Sequence, residues 1–171
     1  MRIAKIVTTL ALALGLGAAA GAPAMEMGSA KANPALEPLT ALSGNWEGQS
    51  TDGKPVKANY QVVAAGSCVM ETLEPPDGGT MVTMYHVDGG RLVMDHYCSV
   101  NNVPHMRAAR SADPKHLDFA FVSAANLAAP GDMHMHGLKF SFEDPDHFTQ
   151  EWTLRAKGKD QPYVFRFARA K

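Results

Sequence analysis

From residue 44 onward the chain is written in short runs of alternating apolar and polar residues. Leu138, Phe140 and Phe142 alternate with Lys139, Ser141 and Glu143, and Phe148, Gln150, Trp152 and Leu154 alternate with Thr149, Glu151, Thr153 and Arg155. A period of two belongs to a strand with one buried face. Ten such runs are expected, over 45–51, 55–64, 67–74, 80–87, 91–98, 103–111, 116–123, 133–143, 146–155 and 162–169. Short turns rich in Gly, Asp, Pro and Ser separate many of them: "AAGS", "VDGG", "SADPK", "EDPD". Short strands joined by hairpins predict an all-β, up-and-down antiparallel barrel. Closing such a meander removes its unpaired edges. Only "LEPLTALS" (36–43) has the composition of a helical turn.

Parity assigns the faces. If the Leu138/Phe140/Phe142 set faces the core, then His134 and His136 continue that face, and Met133 and Met135 lie outside. In the fifth strand Leu92, Met94, His96 and Cys98 face inward, opposite Val93, Asp95 and Tyr97. In the tenth, Tyr163, Phe165 and Phe167 do. A meander also brings every second strand end to one rim. His96, His105, His134 and His136, with Glu71 and Arg107, then gather at the rim with the longer connections "PPDGGT", "SVNNVP", "AANLAAPGD" and "AKGKDQ". Longer loops around one mouth are where binding groups usually sit. His86, His116 and His147 lie beside the turns of the other rim and are expected in solvent.

Two chemistries suit the gathered groups. His134 and His136, and His96 and Cys98, are i, i+2 pairs whose side chains point the same way about 7 Å apart. Imidazole and thiolate suit zinc or copper. A metal site of His96, Cys98, His134 and His136 requires the fifth and eighth strands, which are not neighbours in a meander, to meet across a narrow mouth. Alternatively Glu71, His96, His105, Arg107, His134 and His136 line a pocket for a small, partly apolar ligand. Of these, Glu71, His105 and Arg107 are types that bind or polarise a carboxylate or carbonyl. Among Met94, Met133 and Met135, only Met94 has inward parity, which weakens copper ligation by methionine. A cupin places Glu three or four residues after H-x-H, whereas Glu143 follows after six intervening residues on the outward parity. The chain has no G-x-S-x-G, phosphate loop, CxxC or dinucleotide fingerprint, so no catalytic class is indicated. A non-catalytic protein of the cell envelope is the third expectation.

Composition adds a compartment. Residues 1–24 carry Arg2 and Lys5, an apolar run and Ala22-Pro23-Ala24. This is the pattern of a secretory signal peptide cleaved after Ala24. The run is too short and too rich in Gly and Ala for a membrane anchor. A flexible lead-in (25–38) and a barrel domain (39–171) follow, in a periplasmic or extracellular protein. Without the leader's two basic residues the balance is 14 basic to 17 acidic, a net charge of −3. That argues against nucleic acid or anionic lipid as partner. Two cysteines in an oxidising compartment raise the question of a disulfide. Cys68 opens the third strand at one rim, and Cys98 closes the fifth at the other. The separation is on the order of 20 Å along the barrel, against the roughly 7 Å between Cα atoms that a disulfide spans. No bond between them is expected.

The stretch "LSGNWEGQST" carries Gly44-x-Trp46 followed by Gly48. It resembles the opening of calycin-type barrels, the lipocalins and fatty-acid-binding proteins. The resemblance implies that Trp46 plugs the closed end. The strand count is closer to fatty-acid-binding and nitrobindin-like forms. "MVTMYHVDGGRLVMDHYCSVNNVPHMRA" and "DMHMHGLKFSF…DHFTQEW" resemble uncharacterised bacterial lipocalin-like proteins, over roughly residues 39–169. This implies a fold and an open-mouthed pocket. Nitrobindin-like barrels bind haem and open with a longer glycine series. Here Gln49, Ser50 and Thr51 follow Gly48, so the resemblance does not carry haem over.

Overall fold

The structure, a computed structural model, describes residues 33–110 and 113–171. The expected signal peptide and most of the lead-in lie outside the described residues. Ten strands follow in chain order: β1 (Gly44–Ser50), β2 (Pro55–Val63), β3 (Cys68–Glu74), β4 (Met81–Asp88), β5 (Arg91–Tyr97), β6 (Val103–Ala108), β7 (His116–Ala125), β8 (His134–Asp144), β9 (His147–Ala156) and β10 (Lys159–Arg169). Each pairs antiparallel with its neighbours, and β1 pairs with β10 to close the barrel. This is the architecture that the alternation predicts.

Tight turns occur at both rims. Gly89 and Gly90, with φ of 54° and 74°, make the two-residue turn between β4 and β5. Lys157 and Gly158 adopt the same left-handed pair (52° and 73°) and join Ala156 to Lys159. Both fit the right-handed twist of the strands they connect. "AKGKDQ" is therefore a tight hairpin and not a long mouth loop.

The rim that carries the Gly89–Gly90 turn is closed by the residues that precede β1. A 3-10 turn (Pro34–Leu36) runs into α1 (Glu37–Thr40), and Leu36, Leu39 and Leu42 are buried in the core. The packed chain thus begins before residue 39. Trp46 fills the end of the barrel, with its indole N–H donating to the Leu42 carbonyl at 2.7 Å and its ring edge-on to Phe148 at 4.7 Å. Arg169 lies over that indole at 4.3 Å and donates to the Ala41, Ser43 and Pro145 carbonyls. It thereby ties the helical turn, the β8–β9 turn and β10 together. A Cβ on Gly48 would lie 2.4 Å from the Arg166 carbonyl oxygen, so the second glycine of the motif is what lets β1 approach β10. Trp46 is the plug that the resemblance implied.

Candidate functional site: a mouth cavity above a buried polar row

The strand register lines up four polar residues inside the barrel. Tyr60, Glu71, Thr83 and His96 are directly opposite one another across β2, β3, β4 and β5. All four are buried. Gln150 joins them from β9, on the far side of the sheet order. Glu71 is 0 % exposed and accepts from the Tyr60 hydroxyl (2.9 Å), the Tyr85 hydroxyl (2.5 Å) and Gln150 Nε2 (2.6 Å). Trp152 Nε1 donates to Gln150 Oε1 at 3.1 Å. Buried polar groups persist when satisfied in this way.

Burial sets the charge states. It pushes Glu71 above the ordinary carboxylate value against the pull of its hydrogen bonds. It also pushes Tyr60 and Tyr85 well up, with the Glu71 charge adding to both. Burial lowers His96 to about 4, so its ring is neutral at physiological pH. His96 Nδ1 meets Thr83 Oγ1 at 2.9 Å, and its ring lies 4.5 Å from that of Trp152. Its Nε2 is buried and has no hydrogen-bond partner among the described residues.

Directly above this row the barrel is hollow. Leu73, Met81, Cys98 and Trp152 stand two residues nearer the open rim than Glu71, Thr83, His96 and Gln150. They help line a cavity of about 440 Å³, with Met133, Met135, Leu154, Tyr163 and Phe165 around the mouth. Among the described residues no basic side chain lines it, and its two acidic ones, Asp52 and Asp77, both pair with Lys54. A wider hollow of about 840 Å³, over the outer faces of β1, β2 and β10, is lined mainly by exposed residues.

The histidines expected at this mouth are elsewhere. Between β8 and β9 the pairing steps from Met135–Leu154 to Gly137–Thr153, which leaves His136 as the extra residue of a β-bulge. One extra residue inverts the parity upstream of it. Met135 therefore takes the interior with Leu154, while His134 is opposite Arg155. The expected faces of Met133, His134, Met135 and His136 are reversed: the methionines line the cavity and no histidine does.

The displaced pair has its own environment. Pairing of β7 with β8 stops at Ala120–Gly137. Beyond it Phe121 lies 4.6 Å from the His134 ring and stacks on His136 at 4.9 Å. Arg155, itself bound to Asp160, donates to His136 Nε2. Since a guanidinium only donates, the His136 proton sits on Nδ1, which donates to His134 Nε2 at 3.0 Å. His134 Nδ1–H then donates to the Asp132 carbonyl at 2.7 Å. Burial, then the charge of Arg155, lowers the His136 pKa. Every ring nitrogen of the H-x-H pair is engaged.

His105 and Arg107 are also removed from the mouth. Met94 is opposite Met106 on the inner face, so the neighbouring positions face out. His105 pairs with Asp95 at 2.8 Å, and Arg107 faces Asp88 at 3.7 Å. The six expected ligand-binding residues thus occupy three places: Glu71 and His96 inside, His134 and His136 in the β7–β8 gap, His105 and Arg107 on the outer wall. His96, Cys98, His134 and His136 do not converge. Among the described residues, no three His, Cys, Asp or Glu side chains are grouped to hold a metal ion. Among the described residues the cavity wall offers no imidazole, so it does not fit a histidine-held haem. His116 and His147 pair with Asp113 and Asp144 in exposed turns, as expected. Cys68, opposite His86 on the outer face at the closed end, and Cys98, inside at the mouth, are free thiols. Sequence reasoning missed Tyr60, Thr83 and Tyr85, although each continues the inward parity of its strand.

No family model matches the chain, and no curated protein matches it. Solved structures do. The crystal structure of Rv2717c from M. tuberculosis aligns with a TM-score of 0.54 at 16% identity, over 82% of this chain and all of that one. A protein of unknown function from the DUF3598 family, from Nostoc punctiforme, aligns with a TM-score of 0.52 at 12% identity. That match covers 77% of this chain, which spans about half of the Nostoc protein (49%). The likeness is one of fold, a closed antiparallel β-barrel.

Proposed function

We propose that this is an exported barrel that binds a small, uncharged, largely apolar molecule in its mouth cavity. The cavity carries the reading. Its volume of about 440 Å³ falls within the roughly 300–1,000 Å³ of small-molecule sites. Its wall is largely apolar, with Leu, Met, Pro, Val and aromatic side chains beside Cys98 and two serines, and among the described residues its charged members, Asp52 and Asp77, are spent on Lys54. The hydrogen-bonded polar row around Glu71 forms a floor beneath it. Export rests on the leader-like pattern of residues 1–24.

The two tryptophans provide the test. Trp152 lines the cavity and Trp46 sits in the opposite plug. Titration with the neutral apolar probe N-phenyl-1-naphthylamine should give saturable, one-to-one binding with energy transfer from Trp152. Trp152→Phe should lose most of that transfer, and Trp46→Phe should keep it. Non-saturable probe uptake, or transfer that survives in Trp152→Phe, would contradict the proposal.

A further inference from the structure

We propose that the barrel mouth is also a sulfur-only site for Cu(I), built from Cys98, Met81, Met133 and Met135. The four side chains come from three separate segments and line one cavity. Val82 is opposite Tyr97, so Met81 and Cys98 are brought side by side at the next inward position. Their sulfurs are 4.0 Å apart. Two sulfurs that bind one ion with bonds of about 2.3 Å at a trigonal 120° are about 4.0 Å apart, so this pair already has the required span.

The parity inversion at His136 supplies the remaining donors. It turns two thioethers, spaced i, i+2, into the same cavity. Met133 remains 44% exposed, a methionine held at the rim rather than packed away. The buried Asn102 amide fixes its backbone by donating to the Met133 carbonyl at 2.8 Å. Unbranched methionine side chains adjust to reach a shared ion.

Chemistry selects the ion. Thiolate and thioether donors favour Cu(I) over harder cations. Binding replaces the Cys98 S–H proton by the metal: one S–H bond breaks, one S–Cu bond forms and one proton leaves. The product is a neutral thiolate–Cu(I) unit, which suits an apolar cavity where an uncompensated charge is costly. No electron is transferred. The inference is independent of the apolar-ligand reading, since it uses the sulfurs and not the cavity volume.

The test is competition for Cu(I) against bicinchoninate under ascorbate, with the full chain purified after export. One Cu(I) should be retained per chain. Cys98→Ser should weaken it by at least on the order of 100-fold, the upper end of what the loss of an outer-shell partner costs at a metal site. Met133→Leu with Met135→Leu, at positions outside the buried core, should weaken it by roughly tenfold or more. Cys68→Ser, at the opposite end, should leave it unchanged. X-ray absorption should show sulfur neighbours alone. No retention of Cu(I), equal affinity in Cys98→Ser, or a nitrogen shell that assigns the ion to histidine would overturn the site. Probe titration of the copper-free wild-type chain separates the two proposals, because saturable probe uptake by a chain that retains no Cu(I) overturns the sulfur site and leaves the apolar-ligand reading standing.

Discussion

The sharpest test of the interior is a pair of substitutions at Glu71. Glu71→Leu removes the acceptor of the Tyr60 and Tyr85 hydroxyls, while Gln150 keeps its bond to Tyr60 at 2.8 Å. Two stranded buried donors cost about 1–3 kcal/mol each. Burial of the larger apolar group returns about 1–2 kcal/mol. A net loss of about 3 kcal/mol would lower Tm by about 10 °C for a barrel of this size. Glu71→Gln behaves differently. Its amide oxygen, in place of Oε1, still accepts from Tyr60 and Gln150, and its amide nitrogen donates to a Tyr85 hydroxyl that has turned around. The bond count is unchanged and the buried charge is gone. Because Glu71 has a raised folded pKa, its contribution to stability is full below the ordinary Glu value and is lost as pH rises through the folded value. Glu71→Gln should therefore match the wild type near pH 4 and gain on it toward pH 8. Thermal melts by circular dichroism across that range read this directly. If Glu71→Gln falls as far as Glu71→Leu at neutral pH, with a gap that does not change with pH, the proposed burial penalty on the charge is wrong.

Two further outcomes follow from the same interior. His96 titrates at about 4 when folded against an ordinary 6.5, a gap of about 3 kcal/mol. The stability it withholds from the acid state is present above 6.5 and is lost as pH falls toward 4. His96→Gln should therefore melt with a smaller difference between pH 7 and pH 4.5 than the wild type, and an unchanged difference would show that acid enters elsewhere. At the closed end, Gly48→Ala places a methyl group 2.4 Å from the Arg166 carbonyl oxygen and 2.7 Å from the Phe167 ring. Overpacking against backbone should cost about 3 kcal/mol, seen as a lower urea midpoint with hydrogen exchange rising first along β1 and β10. Full stability would mean that the two strands separate at little cost.

Strand number and closure are legible in the sequence because they depend on period and on turn chemistry, and both are local, while the plug is legible only through the resemblance carried by Gly44 and Trp46. The polar row is legible too, once parity is applied without exception. Glu71, expected at the mouth, sits between Val69 and Leu73 on the inward side of β3, and its unmarked partners are Tyr60, Thr83 and Tyr85. The mouth is different. In "DMHMHGLKF" the alternation of Met and His is equally regular in either frame, and neither type is decisive about burial. The frame is set by one unpaired residue at His136, a fact of pairing with β9 that β8 does not contain. Gly137 is the sole local sign, a glycine where close backbone approach marks a bulge. That single residue decides the chemistry. With regular pairing the mouth would present two imidazoles and suggest zinc. With the bulge it presents two thioethers beside Met81 and Cys98, and the imidazoles are consumed by Arg155, Phe121 and each other. Deleting His136 removes the bulge and joins Met135 directly to Gly137, still opposite Leu154, so Met133 and Met135 keep the interior face. The deletion variant should therefore retain Cu(I) at the mouth in the same bicinchoninate competition, and loss of Cu(I) would show that the inward face alone does not make the site.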